Sequence, residues 1–417
     1  MKRLLKKVLF LLLFCVSTLF GEFETSGYIG LNSQSYLTLP KGKHKNNFTA
    51  KQEIKLKYTK EDFSIFANIY AQEDYYDLSN DDTKHNDRTF IRLDELYLKY
   101  DFENDMISVG KSIKFWGALE VKNIVNVFNQ KDFRTDLLRS DEMGAYNFTY
   151  SHYTENGEIS AILKLNEPNQ PMATFKYAYY TFAPFITYED ELQKSDDNYK
   201  PSIYLSYSGT LDTEYALDYA FIYENGYDSQ RYFLPDGPLD GSPVVFKQYA
   251  YTVNKFMTYN TLVIGATLIK LEALYAIVDD DKYIANYSHI AFGFEHMIEN
   301  FLDSDTTLGV IAEYYKYKIY DDDKYSDLEL FETMQNDLFV GLRYSLNNAN
   351  DTNIIGGAII DTEYDEQTYY MQFVSRAYDS FKIEIDYYYI EPSKDTLTPN
   401  ALLGRHQRIA LDISYYF

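Results

Sequence analysis

The chain has 417 residues with 39 basic and 63 acidic side chains, a formal net charge of -24. That balance excludes nucleic acid as a partner, because a polyanion needs a basic surface. The one cysteine, Cys15, falls in an N-terminal leader, so disulfides and thiolate catalysis are excluded for the mature chain.

Residues 1–21 read as a secretory signal peptide. Lys2, Arg3, Lys6 and Lys7 form its positive end, Val8 to Phe14 its apolar core, and Cys15 to Gly21 a less apolar exit. The core is too short to span a membrane, and cleavage is placed after Gly21. Phe14 is too large for the site that precedes a lipoprotein cysteine. Residues 22–417 then form one body, with no linker and no second domain. The longest later apolar stretch, Thr261 to Val278, carries Lys270 and Glu272 in its middle and is no membrane helix.

From residue 22 onward the chain alternates. Ile54, Leu56 and Tyr58 alternate with Glu53, Lys55 and Lys57, and Lys51 shares the charged side. Similar runs cover Tyr215 to Tyr223, Asp337 to Leu346 with Arg343 on the polar side, and Phe381 to Tyr389 with Lys382 there. A strand turns successive side chains to opposite faces. These runs are about 9–11 residues or longer, as a tilted membrane-spanning strand requires. Lacking a spanning helix, a membrane protein must close its strands into a barrel, which alone satisfies every backbone group in lipid. The 44 tyrosines and 28 phenylalanines suit strands and the aromatic girdles of such a barrel.

Short connections are expected at Lys60-Glu61, Glu103-Asn104, Thr154 to Gly157, Gly209 to Asp212, Asn347 to Asp351 and Tyr378 to Ser380. Longer ones are expected over 75–88, 114–142, 167–200, 225–245, 279–286, 321–333 and 392–403. Short turns at one end and long loops at the other predict an all-β, antiparallel barrel of about 18 strands. The count becomes 20 if Phe175 to Phe182 and Phe185 to Glu189 form a hairpin, and 16 if two weak runs fail.

Residues 109–136 break the pattern. A strand is expected to reach Phe115-Trp116-Gly117 and stop. Ile124, Val127 and Phe128 then fall at helical spacing, with Asp132 as a helix cap. Gly110-Lys111, Trp116-Gly117, Asn126, Asn129 and Asp132 resemble the shared segment of a largely uncharacterised family of outer-membrane barrels related to the porins. Gln130 stands where that family has proline. The resemblance implies a loop between strands 5 and 6 that folds inward and narrows a pore. Lys114, Trp116, Glu120, Lys122, Lys131, Asp132, Arg134 and Asp136 are its constriction candidates. Alternatively the segment plugs or braces the barrel, with its charges paired to one another.

The wall offers Lys51, Lys55 and Lys57, Arg405 near the mouth, and Arg408 on the last strand. They form either a basic strip or a ladder neutralised by carboxylates. His289 and His296, seven apart, face opposite sides of a strand and cannot share a metal. No local hydrolase motif and no cofactor site stand out. Asp279-Asp280-Asp281 and Asp321-Asp322-Asp323 read as solvated loop tips, lacking the pattern of a calcium loop.

The chain ends Arg408 to Phe417, with Ile409, Leu411, Ile413, Tyr415 and Phe417 on one face. This resembles the terminal strand of outer-membrane barrels, which ends in an aromatic read by the barrel-assembly machinery. Phe417 is therefore the candidate assembly signal. The expected partners are outer-membrane lipid and lipopolysaccharide, that machinery, and small solutes, with a homo-oligomer left open. The leading function is passive diffusion of small hydrophilic solutes. A closed barrel with a structural or surface role and a barrel hydrolase stay as alternatives.

Overall fold

The computed structural model describes residues 21–39, 42–79, 88–136, 138–174, 176–178, 180, 185–194, 200–279, 281–320, 332–394, 396 and 398–417. The leader up to residue 20, the run Asp321-Asp322-Asp323, and Leu137, Phe175 and Phe182 lie outside them.

Eighteen strands form one sheet. They are β1 (Glu22–Thr38), β2 (Asn46–Lys60), β3 (Phe63–Asp74), β4 (Phe90–Phe102), β5 (Asp105–Ser112), β6 (Ala145–Thr154), β7 (Gly157–Lys164), β8 (Ser202–Asp212) and β9 (Ala216–Tyr227). They continue with β10 (Thr252–Ile264), β11 (Thr267–Val278), β12 (Tyr287–Glu299), β13 (Thr307–Ile319), β14 (Asn336–Ser345), β15 (Asn353–Asp361), β16 (Gln367–Ala377), β17 (Phe381–Glu391) and β18 (His406–Tyr416). Each pairs antiparallel with the next, and β18 returns to β1 with Tyr28 opposite Tyr416 and Tyr36 opposite Arg408. The seam extends to the last residue: Phe417 and Gly27 exchange two backbone hydrogen bonds of 3.1 Å. Closure leaves no sheet edge unpaired, which is the condition for strands to cross lipid.

The alternation read from the sequence sets the two faces. Ile29, Leu31, Leu98, Phe221, Phe292, Leu342, Ile413 and Phe417 are each 42% to 56% exposed on the outer face. Their inward neighbours include the buried Asn32, Asn147, Tyr204, Glu272, Glu313 and Arg408. A water-soluble protein does not leave a continuous apolar belt uncovered, and a bilayer covers it here.

One end of the barrel carries tight turns at 61–62, 103–104, 155–156, 265–266 and 378–380. Gly209 to Asp212 is not among them. Those residues continue β8 opposite Ala216 to Tyr219, and the turn follows at 213–215. Gly209 marks a close approach instead, because a Cβ there would lie 2.1 Å from the Asn156 carbonyl oxygen.

The other end carries the long connections. Among the described residues, the excursion 165–201 adds no strand to the barrel. Its strand Ile186–Lys194 pairs in parallel with Val244–Ala250, which also pairs antiparallel with Tyr232–Asp236. Two loops far apart in sequence thus share a small sheet of their own. Asp281 is no solvated tip: it is buried and accepts from the amides of Tyr283 (2.7 Å) and Ile284 (3.0 Å) and from the Tyr232 hydroxyl (3.2 Å).

Candidate functional site

Residues 113–144 join β5 to β6. The strand stops at Ser112, short of Trp116, where the Ile113 amide turns to the Glu95 carboxylate at 3.0 Å. No helix follows. The amides of Ala118, Leu119, Ile124 and Val125 all donate to the carboxylate of Glu272 on β11, at 2.6 to 3.3 Å. Those of Glu120 and Val121 donate to Glu313 on β13 at 2.7 and 3.1 Å, and that of Lys122 to the Tyr315 hydroxyl at 3.1 Å. Donors taken by the wall cannot enter a helical ladder, so the helical spacing of Ile124, Val127 and Phe128 goes unused. Gly117 permits the bend, at φ 147° and with Asn123 pressed against it. Asp132 caps no helix either, because Gln130–Asp132 is a short strand paired with Asp141–Met143.

The apolar side chains of the segment pack on the inner wall. Ile124, Val125, Val127 and Phe128 are buried with Ile162, Tyr204, Ile222, Met257, Leu274 and Tyr315, contributed by β7 to β13. Trp116 lies against them, its ring 5.5 Å from Tyr204 and 6.0 Å from Phe128. Burying each aliphatic or phenyl side chain contributes about 1.5–3 kcal/mol, which holds this half of the segment to that side.

Most of the charged constriction candidates are ion-paired, as in the alternative of a braced segment, although chiefly to the wall rather than to one another. Glu120 pairs with Arg343, which also reaches Glu295 at 2.7 Å. Lys122 pairs with Glu332. Asp132 takes Arg92 (2.5 Å) and Arg134 (2.6 Å), and the Arg134 guanidinium sits 3.9 Å over the Phe90 ring. Asp136 pairs with Arg408, and Arg139 with Glu384 and Asp386. Arg88 holds the carbonyls of Arg134 and Thr135 at 2.9 and 3.0 Å. Among the described residues, Lys114 and Lys131 alone of the charged constriction candidates have no ion-pair partner. Burial works to raise the Glu332 carboxyl, and the Lys122 ammonium outweighs it, holding that group down at about 2.

The basic wall residues are likewise paired. Lys51 meets Asp412 (3.7 Å), Lys55 meets Glu53 (2.8 Å), Lys57 meets Glu24 (3.2 Å) and Lys382 meets Glu384 (2.8 Å). Arg408 is buried on its pair with Asp136, and Arg405 is tied to Glu391. Among the described residues, these wall candidates therefore form no free basic strip. The interior is uneven: from β7 to β13 the segment covers a buried apolar cluster set among buried charges such as Glu272 and Glu313, whereas Lys51, Glu53, Lys55, Gln372 and Lys382 keep partial exposure.

Sequence reasoning missed Glu272 and Glu313 as the anchors. The available signal was a glutamate at mid-strand on the inward face, where a carboxylate needs donors. It also missed Arg88, Arg92 and Arg139, since ties across the barrel leave no local spacing.

His289 is buried and bonded to the Met334 carbonyl at 2.9 Å, while His296 meets Thr267 at 2.8 Å on the opposite face. His152 and Tyr150 both bond Asp105, at 2.9 and 2.6 Å, but the Ser151 hydroxyl points inward to Ser160 at 3.1 Å. No serine joins the His152–Asp105 pair among the described residues. Nor do three or more His, Cys, Asp or Glu side chains converge as metal ligands among them.

No family model and no curated protein matches the chain. Solved structures do. The outer membrane protein OpdK of Pseudomonas aeruginosa superposes with a TM-score of 0.54 at 9% identity, covering 95% of this chain and 99% of that one. OccK8 (OprE) of the same organism gives 0.53 at 8% identity, with 95% and 98% covered. OccK5 (OpdH) gives 0.52 at 9%, again with 95% and 98% covered. At such identities the likeness speaks for the fold. A closed 18-stranded barrel with a continuous apolar outer belt is an integral outer-membrane β-barrel.

Proposed function

We propose that the protein is a porin-like channel for passive diffusion of small hydrophilic solutes or ions. The carrying observation is the placement of residues 113–144. Their partners are inward-facing side chains on β11, β13 and β14 on one side and on β4, β17 and β18 on another. A segment so held crosses the lumen and narrows it, leaving solutes the polar side lined by Lys51, Glu53, Lys55, Gln372 and Lys382. A narrow, low-dielectric section strengthens the field of charges there and sorts solutes by size and sign. Purified protein added to a planar bilayer should give discrete conductance steps in KCl.

The paired charges favour a second reading, a closed barrel braced from within and serving a structural role. Folded, inserted protein that passes no current would establish it in place of the channel.

A further inference from the structure

The start of β14 and the end of β15 meet at the end of the barrel that carries the long connections. Asp337 stands directly opposite Asp361 there, both on the inward face, at 3% and 8% exposure. Such a cross-strand pair holds its Cβ atoms about 4.5–5.5 Å apart, and like charges in it repel. Among the described residues, no lysine or arginine pairs with either. The nearby Lys316 lies on the outward face and meets Glu363 at 3.3 Å. Glu366, a third buried carboxylate, adjoins Asp361 through a backbone bond of 3.2 Å. It is already occupied by the Thr398 hydroxyl (2.5 Å) and the Asn400 side-chain amide (3.0 Å).

Gln335 supplies an independent sign. Its side chain is 3% exposed, and its Nε2 donates to Oδ2 of Asp361 at 3.1 Å, which sets the amide head on the acid pair. Oε1 of the same amide is buried and accepts no hydrogen bond. Leaving a buried acceptor unmet is costly, and so is burying a carboxylate without a positive partner. Elsewhere in the interior these needs are met. Asp132 has two arginines, and Glu272 has four backbone amides. Here two carboxylates and an orphaned amide oxygen converge, with no positive charge among them.

We propose that Asp337, Asp361 and Oε1 of Gln335 form a binding site for one calcium ion, which ties β14 to β15 at this rim. Calcium takes carboxylate and amide oxygens in flexible geometry and completes its shell with water. One divalent ion would neutralise both carboxylates and give Oε1 the partner it lacks. The site is independent of whether the barrel conducts.

The test uses full-length protein refolded in lipid-free detergent, stripped with EDTA and dialysed, with folding checked by its heat-modifiable gel shift. Calcium chloride is titrated in by calorimetry, in excess KCl to screen the exposed acids. Wild type should show a single saturable site with a dissociation constant of roughly 10⁻⁴–10⁻³ M, the weak end of calcium sites. Asp337→Asn should weaken it by about tenfold or more, and Gln335→Leu by about threefold or more. Glu155→Gln, at an exposed short turn, should leave it unchanged. Calcium should also raise the temperature at which the folded gel band is lost in wild type but not in Asp337→Asn, because a ligand that binds only the folded state stabilises it. Wild type without saturable binding, as when the acid pair is relieved by a shared proton, overturns the proposal. So does a folded Asp337→Asn that binds calcium as wild type does.

Discussion

Glu272 engages four backbone N–H groups with one carboxylate and so decides the path of residues 118–125. Hydrogen bonds to a charged acceptor contribute about 1.5–3 kcal/mol each, and four on one group do not simply add. Glu272→Ala should therefore free these amides without opening the barrel. Hydrogen exchange at residues 118–125 should speed up while exchange in β11 stays slow, and unchanged protection would contradict the anchoring role. The Lys122–Glu332 tie has its own signature. Glu332 is held below its ordinary value of 4.5, at about 2. A depressed carboxyl stabilises the fold above its unfolded pKa and loses that contribution as pH falls toward the folded one. The stability difference between wild type and Glu332→Gln should be constant above about pH 5 and shrink between about 4.5 and 2. An inward glutamate in need of donors was legible in the sequence, but its partners were not, because a bond between residues 118 and 272 leaves no trace in local spacing.

At the scale of elements the sequence was far more informative. Period-two alternation located the strands, since a lipid-covered face and a wet face demand different side chains at adjacent positions. Ile54 and Lys55 are one such adjacent pair, outward and inward on β2. An arginine on the lipid face costs about 2–4 kcal/mol near the bilayer midplane. Ile54→Arg should lower the yield of folded barrel in vesicles well below that of Lys55→Ile, and the reverse order would mean the faces are exchanged. Where backbone donors had competing acceptors, the sequence misled. Ile124, Val127 and Phe128 have helical spacing but serve as three contacts of an irregular segment on the inner wall. The loop sheet was invisible for another reason: Ile186–Lys194 finds its partner nearly sixty residues away, as Ile186 opposite Val244 shows. Phe417 belongs to this scale too. It is exposed on the lipid face, and its backbone completes the seam with Gly27. Deleting it should reduce outer-membrane assembly of the barrel in cells, measured by the heat-modifiable fraction, and normal assembly would remove its role as the signal.

The whole molecule is a closed sheet, and the segment 113–144 bonds to inward-facing side chains of its wall. Apolar packing fixes that segment against β7 to β13, and ion pairs tie its far end to β4, β17 and β18. The narrow section of a pore dominates its resistance, so the segment should set the conductance. Its removal tests this directly. Residues 118–140 are replaced by a short Gly/Ser linker, and the protein is refolded and checked for heat modifiability. Glu272→Ala serves as a second variant should the deletion fail to fold. Single-channel conductance in planar bilayers is then compared with wild type. The account predicts discrete steps for wild type and larger steps for the folded deletion. Equal steps, or a folded wild type that inserts and stays silent, would contradict it.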